Sequence, residues 1–306
     1  MVWGEAKNIW RRGDLLTRLV IFHVLVFAAV MTWQLLVRLG LGTVGAGSGE
    51  GMGLATSWRW DILRERPWSV FTHVFVHADV WHLAFNMLLL WWMGRMFQQE
   101  LGARKLLAVY LAGGWTGWLF YALMLNAFPG LRTGDFALGA SAAVMAVFVA
   151  VATYVPERRV HLILLGPVAL KYIALVYVLL DYFALGNGEN AGGNLAHLGG
   201  ALFGYVWTKQ WQLGRDLTRW LERILDPLFT WLPGVGNMRV VSRPRRAWWK
   251  RRPTPGPRVK SDEDFNLEKR EREARLDAIL DKIARHGYDR LSAEEKDFLF
   301  RQSNKS

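Results

Sequence analysis

Three short groups of polar residues interrupt stretches that are otherwise apolar, and their types suit acyl-transfer chemistry. The first runs from His73 through His77 to His82 and Asn86. The second is Gly139-Ala140-Ser141-Ala142, and the third is His197, followed by Gly200 and Gly204. Polar groups inside apolar segments carry a solvation cost, so each is a functional candidate by default. A serine hydroxyl attacks a peptide carbonyl only when a base takes its proton, and histidine suits that task near neutral pH. Ser141 is the candidate nucleophile and His197 the candidate general base. The reaction also needs donors aimed at the developing oxyanion. His82 and Asn86, spaced i, i+4, share one helix face and supply two. The backbone N–H groups of Ala140 and Ser141, at the positive end of a helix, supply others. Gly139 lets the chain turn sharply into that helix.

Taken singly, these residues have plainer uses. A serine in a Gly/Ala-rich helix most often serves packing, and His197 ahead of Gly200-x-x-x-Gly204 reads alone as a helix-packing histidine. His73 and His77 have a spacing found in zinc sites. No carboxylate completes an HExxH arrangement, however, and no further ligand is evident, so no metal and no cofactor is expected. His77 reads as a structural or cavity-lining hydrogen-bonder, and His23 as a histidine buried between helices. Asp181 could orient His197, but its place near the outer end of an apolar run favours a partly hydrated interfacial carboxylate. Lys171, at the other end of that run, reads as snorkelling.

The elements that must position these groups are long apolar runs in a chain of 306 residues that is 52% apolar yet carries a net charge of +12. Apolar and basic residues are segregated along it, which suits a membrane domain with a basic tail better than one water-soluble core. Six spans are predicted, at 16–38, 81–99, 105–127, 139–155, 168–186 and 193–211. Many of the 17 tryptophans, Trp81, Trp115 and Trp211 among them, fall near the ends of these runs, where an indole can sit at a membrane interface. Leu19–Leu36 is longer than a signal-peptide core and reads as a retained first span. Gly113-x-x-x-Gly117 and Gly200-x-x-x-Gly204 permit close helix packing. Lys and Arg are concentrated in the N-terminus, the loops after spans two and four, and the tail, which puts both termini on the cytoplasmic side. The lack of cysteine excludes a disulfide framework and thiol chemistry.

Beyond the last span, residues 212–236 place Leu213, Leu217, Trp220, Leu221, Ile224, Leu225 and Leu228 at helical spacing, the pattern of an amphipathic interfacial helix. A basic, Pro-rich linker follows at 237–261; beside a membrane it suits anionic lipid, and no nucleic-acid partner is expected. Residues 262–306 read as a small helical hairpin. Gly287 is placed to stop its first helix, and Ser292-Ala-Glu-Glu295 forms a capping box for its second. Its core is small, so self-association through this tail is one use it can serve.

Taken together, these groups resemble the rhomboid intramembrane serine proteases. The resemblance rests on His77, His82 and Asn86 of the second span, Gly139-x-Ser141, and Ala196-His197-x-x-Gly200-x-x-x-Gly204, and it covers about residues 15 to 211. It implies an all-α, six-helix membrane bundle with a water-filled cavity open to the outside, at 16–211 after a cytoplasmic N-terminus at 1–15. It also implies a Ser–His dyad without a third acid, and cleavage in or near transmembrane segments of membrane-protein substrates. The tail resembles a short helical module of some bacterial rhomboids, which suggests a bacterial inner membrane. Three positions depart from the family pattern. Ala142 replaces a common glycine, Met145 stands where an aromatic often packs on the histidine, and Trp68-Ser69 replaces Trp-Arg in the first loop. A thioether can still pack on an imidazole. Two other functions compete: a catalytically inactive rhomboid-like protein that binds membrane helices for quality control, and a transporter. The presence of both Ser141 and His197 weighs against the first; the lack of paired charges and inverted repeats weighs against the second.

Overall fold

The computed structural model describes residues 14–41, 53–162, 165–187, 190–231 and, near the C-terminus, 276–283, 285, 291–292, 294–296 and 299. The chain divides into two units, Met1–Val241 and Ser242–Ser306.

In the first unit six main helices fall on the six apolar runs. Helix α1, Leu15–Arg38, opens at Asp14, whose carboxylate accepts the Thr17 N–H at 2.9 Å. A first loop contains strand β1 (Thr56–Ser57), helices α2 (Trp60–Glu65) and α3 (Ser69–Thr72), and a 3-10 turn, His73–Phe75. Helix α4, Val80–Leu101, begins at Asp79, which accepts the His82 N–H at 2.9 Å. Helix α5, Ala103–Ala127, leads through strand β2 (Phe136–Ala137) to α6, Ser141–Tyr154. Strands β3 (Arg159–Leu162) and β4 (Gly166–Ala169) then precede α7, Leu170–Ala184. Helix α8, Ala191–Gln212, and helix α9, Arg219–Trp231, complete the unit.

The described residues are mostly helical, in line with the all-α expectation, and carry two short antiparallel ladders: β1 pairs with β2 (Thr56↔Ala137) and β3 with β4, because loop backbone away from helices must also satisfy its hydrogen bonds. The six runs differ as candidate spans. Leu15–Arg38 and Ala103–Ala127 are each long and apolar enough to cross a membrane. Ser69–Phe75 and Val80–Leu101 meet these criteria only as a pair bent by 86°, and Ser141–Tyr154 is shorter. The interfacial helix begins later than position 212, since Asp216 accepts from both the N–H and the hydroxyl of Thr218 in a turn that holds back the helix start.

That turn is anchored to the bundle. Trp207 Nε1 donates to Thr218 Oγ1 at 3.0 Å, and Lys105 at the start of α5 reaches Asp216 at 2.5 Å and Glu222 at 2.7 Å. Burial opposes ionisation of Asp216, but the ammonium of Lys105 and the Thr218 donors prevail and hold its pKa below the ordinary carboxylate value. Trp220, Ile224 and Leu228 of α9 remain exposed, while Leu221 and Phe229 are buried.

The core is built on α6, in which Ala142 through Ala152 are all buried. Its neighbours α5 and α8 approach through small residues. A Cβ added at Gly113 would lie 2.1 Å from Ala146 Cβ. One at Gly200 would lie 2.1 Å from the Ala142 carbonyl oxygen, and one at Gly204 would lie 2.2 Å from that of Ala146. Backbones this close gain dispersion contact along their whole length, the attraction available to helices in an apolar medium.

In the second unit, Ser292 and Glu295 form the expected capping box: the Ser292 N–H donates to Glu295 Oε2 at 2.6 Å and the Glu295 N–H to Ser292 Oγ at 3.3 Å. Lys282, in the helical segment 276–283, pairs with Glu295 at 2.9 Å, and Ile279 and Leu291 are buried. Gly287 and the basic linker 237–261 lie outside the described residues.

Candidate active site

Ser141 is the first residue of α6, so its N–H belongs to the first turn and has no acceptor within the helix. The turn before it depends on Gly139, whose φ of +126° lies where side chains are strained, and whose missing Cβ would sit 2.7–2.8 Å from the ring of His82. Glycine therefore serves twice here, bending the chain and admitting the imidazole. The Gly139 N–H donates to the His73 carbonyl oxygen at 3.0 Å, tying this turn to the end of the first loop.

The Ala140 N–H is directed elsewhere than expected. It donates to His77 Nε2 at 3.4 Å, so this single donor is committed to an imidazole instead of an oxyanion. His77 thus ties the turn to the end of the first loop. It is buried, and its ring lies 5.7 Å from that of His23 and 5.2 Å from that of His82. His23 is also buried, with Tyr110 Oη 2.8 Å from its Nε2. His73 bonds through Nδ1 to the Ser69 carbonyl at 3.1 Å.

His82 and Asn86 share the face of α4 that looks toward α6. Asn86 donates one amide N–H to the His82 carbonyl at 2.8 Å, which fixes the side chain and leaves its second N–H for another acceptor. His82, Asn86, Ser141 and His197 line one cavity of about 590 Å³, roofed in part by Gly134 and Phe136. Asn86, Ser141, Met145 and His197 line a second cavity of about 300 Å³, with Asp181 and Tyr177 of α7. Among the described residues no hydrogen bond of 3.5 Å or less joins Ser141 to His197, and such contacts often tighten only when substrate arrives.

Asp181 departs most from the sequence reading. Beyond the partly hydrated interfacial carboxylate expected, it has a specific partner: its side chain is 14% exposed, and Oδ1 lies 2.9 Å from His197 Nδ1. The cause is that α8 packs back alongside α7. The signal was present in the sequence as a carboxylate inside an apolar helix, which demands a partner. Spacing alone could not identify that partner.

Residues 53–79 of the first loop make their contacts without the Trp-Arg pair of the family pattern. Trp68 Nε1 donates to the Gly53 carbonyl at 3.1 Å, Ser57 Oγ to the Asp135 carbonyl at 2.6 Å, and Arg59 pairs with Asp135 at 3.0 Å. These contacts hold β1 against the strand that runs into Gly139.

If Asn86 donates to an oxyanion, Asn86→Ala is expected to slow peptide cleavage by about 10²–10³-fold, the usual cost of one such donor, while the fold persists. Wild-type rates from a folded variant would remove the side chain from the donor set.

Residues 64–211 match the family model described as the Rhomboid domain, and residues 260–305 match a family of unknown function, DUF6576. Residues 64–211 are thus a Rhomboid domain. It is 37% identical over 170 residues to "Presenilin-associated rhomboid-like protein A, mitochondrial" of Danio rerio, covering 54% of this chain and 41% of that protein. Over 139 residues it is 36% identical to "Presenilin-associated rhomboid-like protein, mitochondrial" of Bos taurus, covering 44% and 35%. With "Rhomboid protease GluP" of Bacillus subtilis (strain 168) it shares 28% identity over 139 residues, covering 45% and 25%. The chain spans about two fifths or less of the length of these curated relatives.

Proposed function

We propose that this protein is an intramembrane serine endopeptidase that hydrolyses peptide bonds in or near the transmembrane segments of membrane proteins. The observation that carries the reading is the meeting of Ser141, His197, His82 and Asn86 around one cavity. In this reading Ser141 Oγ attacks the scissile carbonyl as His197 takes its proton, and the Ser141 N–H, His82 and Asn86 receive the oxyanion. Packing alone would not demand four polar side chains at one depth of an apolar bundle. An inactive helix-binding relative would have no need of a serine and a histidine in the same cavity.

The length of α6 suggests where cleavage occurs. Fourteen residues at about 1.5 Å each extend roughly 21 Å, against a hydrocarbon thickness of about 30 Å. With the C-terminal end of α6 at the basic, cytoplasmic interface, Ser141 lies roughly 9 Å below the opposite surface. A substrate helix must therefore unwind near its outer end, and the cavity must hold the water that hydrolyses the acyl-enzyme. All six main helices then act as spans, with α6 shielded by its neighbours, and both termini lie on the cytoplasmic side. The mitochondrial names of two of the relatives weigh against assigning a bacterial membrane from the tail alone.

The test is co-expression with a panel of tagged single-span proteins. At least one is expected to yield a fragment cut near the outer end of its span, and none should be cut by Ser141→Ala. Cleavage that persists in Ser141→Ala would defeat the reading.

A further inference from the structure

The segment that follows α8 carries charges that cancel in sequence and separate in space. Between positions 215 and 226 three arginines, Arg215, Arg219 and Arg223, are matched in number by three carboxylates, Asp216, Glu222 and Asp226. All three carboxylates turn toward the bundle. Asp216 and Glu222 both pair with Lys105, whose side chain is 15% exposed, and Asp226 pairs with Arg104 at 2.9 Å. These two cations stand in the first turn of α5 and are themselves held by rings. Lys105 Nζ lies 4.2 Å from the ring centre of Trp211, and Arg104 Cζ lies 5.1 Å from that of Phe229. The arginines are left on the outside. Each is exposed, and among the described residues none pairs with a carboxylate. The exposed arc of α9 is also ordered: Trp220, Ile224 and Leu228, at i, i+4 and i+8, form one apolar stripe. Arg219 and Arg223 form the row beside it.

We propose that this outward face is a binding surface for anionic phospholipid. Trp220, Ile224 and Leu228 enter the acyl region of the leaflet, and Arg215, Arg219 and Arg223 bind headgroup phosphates. The leaflet is the occupant because of where α9 is tied. Its carboxylates are fastened to the first turn of α5, a helix long and apolar enough to cross a membrane, so α9 stays at the level where that helix enters the bilayer. An apolar stripe flanked by cations at that level lies in the interface plane. Charge then selects the lipid. With its carboxylates neutralised by Lys105 and Arg104, the surface turned outward presents three positive charges to a leaflet. Guanidinium groups bind phosphate oxygens in pairs. A zwitterionic headgroup brings its own ammonium to compete for that phosphate, whereas an anionic one does not. The inward ion pairs therefore do more than fasten α9: they withdraw the charges that would repel the headgroup.

The chain has no cysteine, so Ile224→Cys gives the full-length protein one site for a nitrobenzoxadiazole label. The labelled protein is placed in nanodiscs of phosphatidylcholine with a minor fraction of phosphatidylglycerol, one or the other lipid carrying a nitroxide on its acyl chain. Each guanidinium at an anionic surface favours association roughly fivefold, so quenching per mole fraction is expected to be about threefold or more stronger with nitroxide phosphatidylglycerol. High salt should weaken that preference. Arg215→Gln, Arg219→Gln and Arg223→Gln combined should remove it and leave quenching by nitroxide phosphatidylcholine. The melting temperature should not change, because all three side chains are exposed. Equal quenching by the two lipids before the arginines are replaced overturns the proposal, since the stripe then lies in lipid without choosing it. Quenching by neither also overturns it and points to a protein docked on the stripe. A preference that survives the triple replacement overturns the assignment to these arginines and moves it to the basic linker 237–261. No arm of the experiment depends on cleavage, so the protease reading stands or falls separately.

Discussion

A fluorophosphonate or isocoumarin probe is expected to attach covalently to Ser141, with the adduct located by peptide mass analysis. A serine hydroxyl is a poor nucleophile at its own pKa, so labelling at one serine alone requires a base within reach. Ser141 and His197 are 56 positions apart in sequence and meet only because α8 lies against α6. Labelling should vanish in Ser141→Ala. In His197→Ala it should fall steeply, on the order of 10⁴-fold or more, since residues of such a unit act together and each alone accounts for most of the effect. Ser141→Ala removes only an atom that faces the cavities, whereas His197→Ala also removes the partner of Asp181, so the helical content of both variants is compared with the wild type. Attachment at any other serine, or undiminished labelling without His197, would sink the mechanism.

The six main helices were legible in sequence because a backbone in an apolar medium must satisfy its own hydrogen bonds, and uninterrupted apolar runs reveal where it does so. Their ends agree with the predicted spans to within a few residues. The helix pair bent by 86° was not legible, because the break at Val76–Asp79 depends on what the first loop packs against. The pairing of Thr56 with Ala137 was hidden for a similar reason: two-residue strands carry no periodicity, and their partners are 81 positions apart. Around the candidate site, residue types and helix faces could be read, which named Ser141, His197, His82 and Asn86. Hydrogen-bond partners could not. Nothing in the sequence says that the Ala140 N–H turns to His77, or that Asp181 finds His197. Those choices are made by tertiary contacts, which single-chain spacing does not encode.

Replacing Gly200 with alanine is expected to damage the site without altering any of its polar side chains. The added Cβ would lie 2.1 Å from the Ala142 carbonyl oxygen, a backbone atom that cannot rotate away. Ordinary contact requires well over an ångström more, so α8 must move off α6 or the turn of α6 that follows Ser141 must distort. His197 is one turn before Gly200 on α8, and Ala142 directly follows Ser141, so either response changes the geometry between base and nucleophile. A misplacement of about 1 Å can cost on the order of 10²-fold in rate, and overpacking of this kind destabilises by about 1–3 kcal/mol. Gly200→Ala should therefore lose cleavage and probe labelling by about 10²-fold or more while keeping its helical content, with a lowered melting temperature in detergent. Gly186→Ala is the control. The substitution is the same, in the turn between α7 and α8, but its Cβ would meet nothing within 4 Å. It should retain wild-type rates. If Gly200→Ala cleaves as well as Gly186→Ala, the close approach of α8 to α6 does not set the distance between His197 and Ser141.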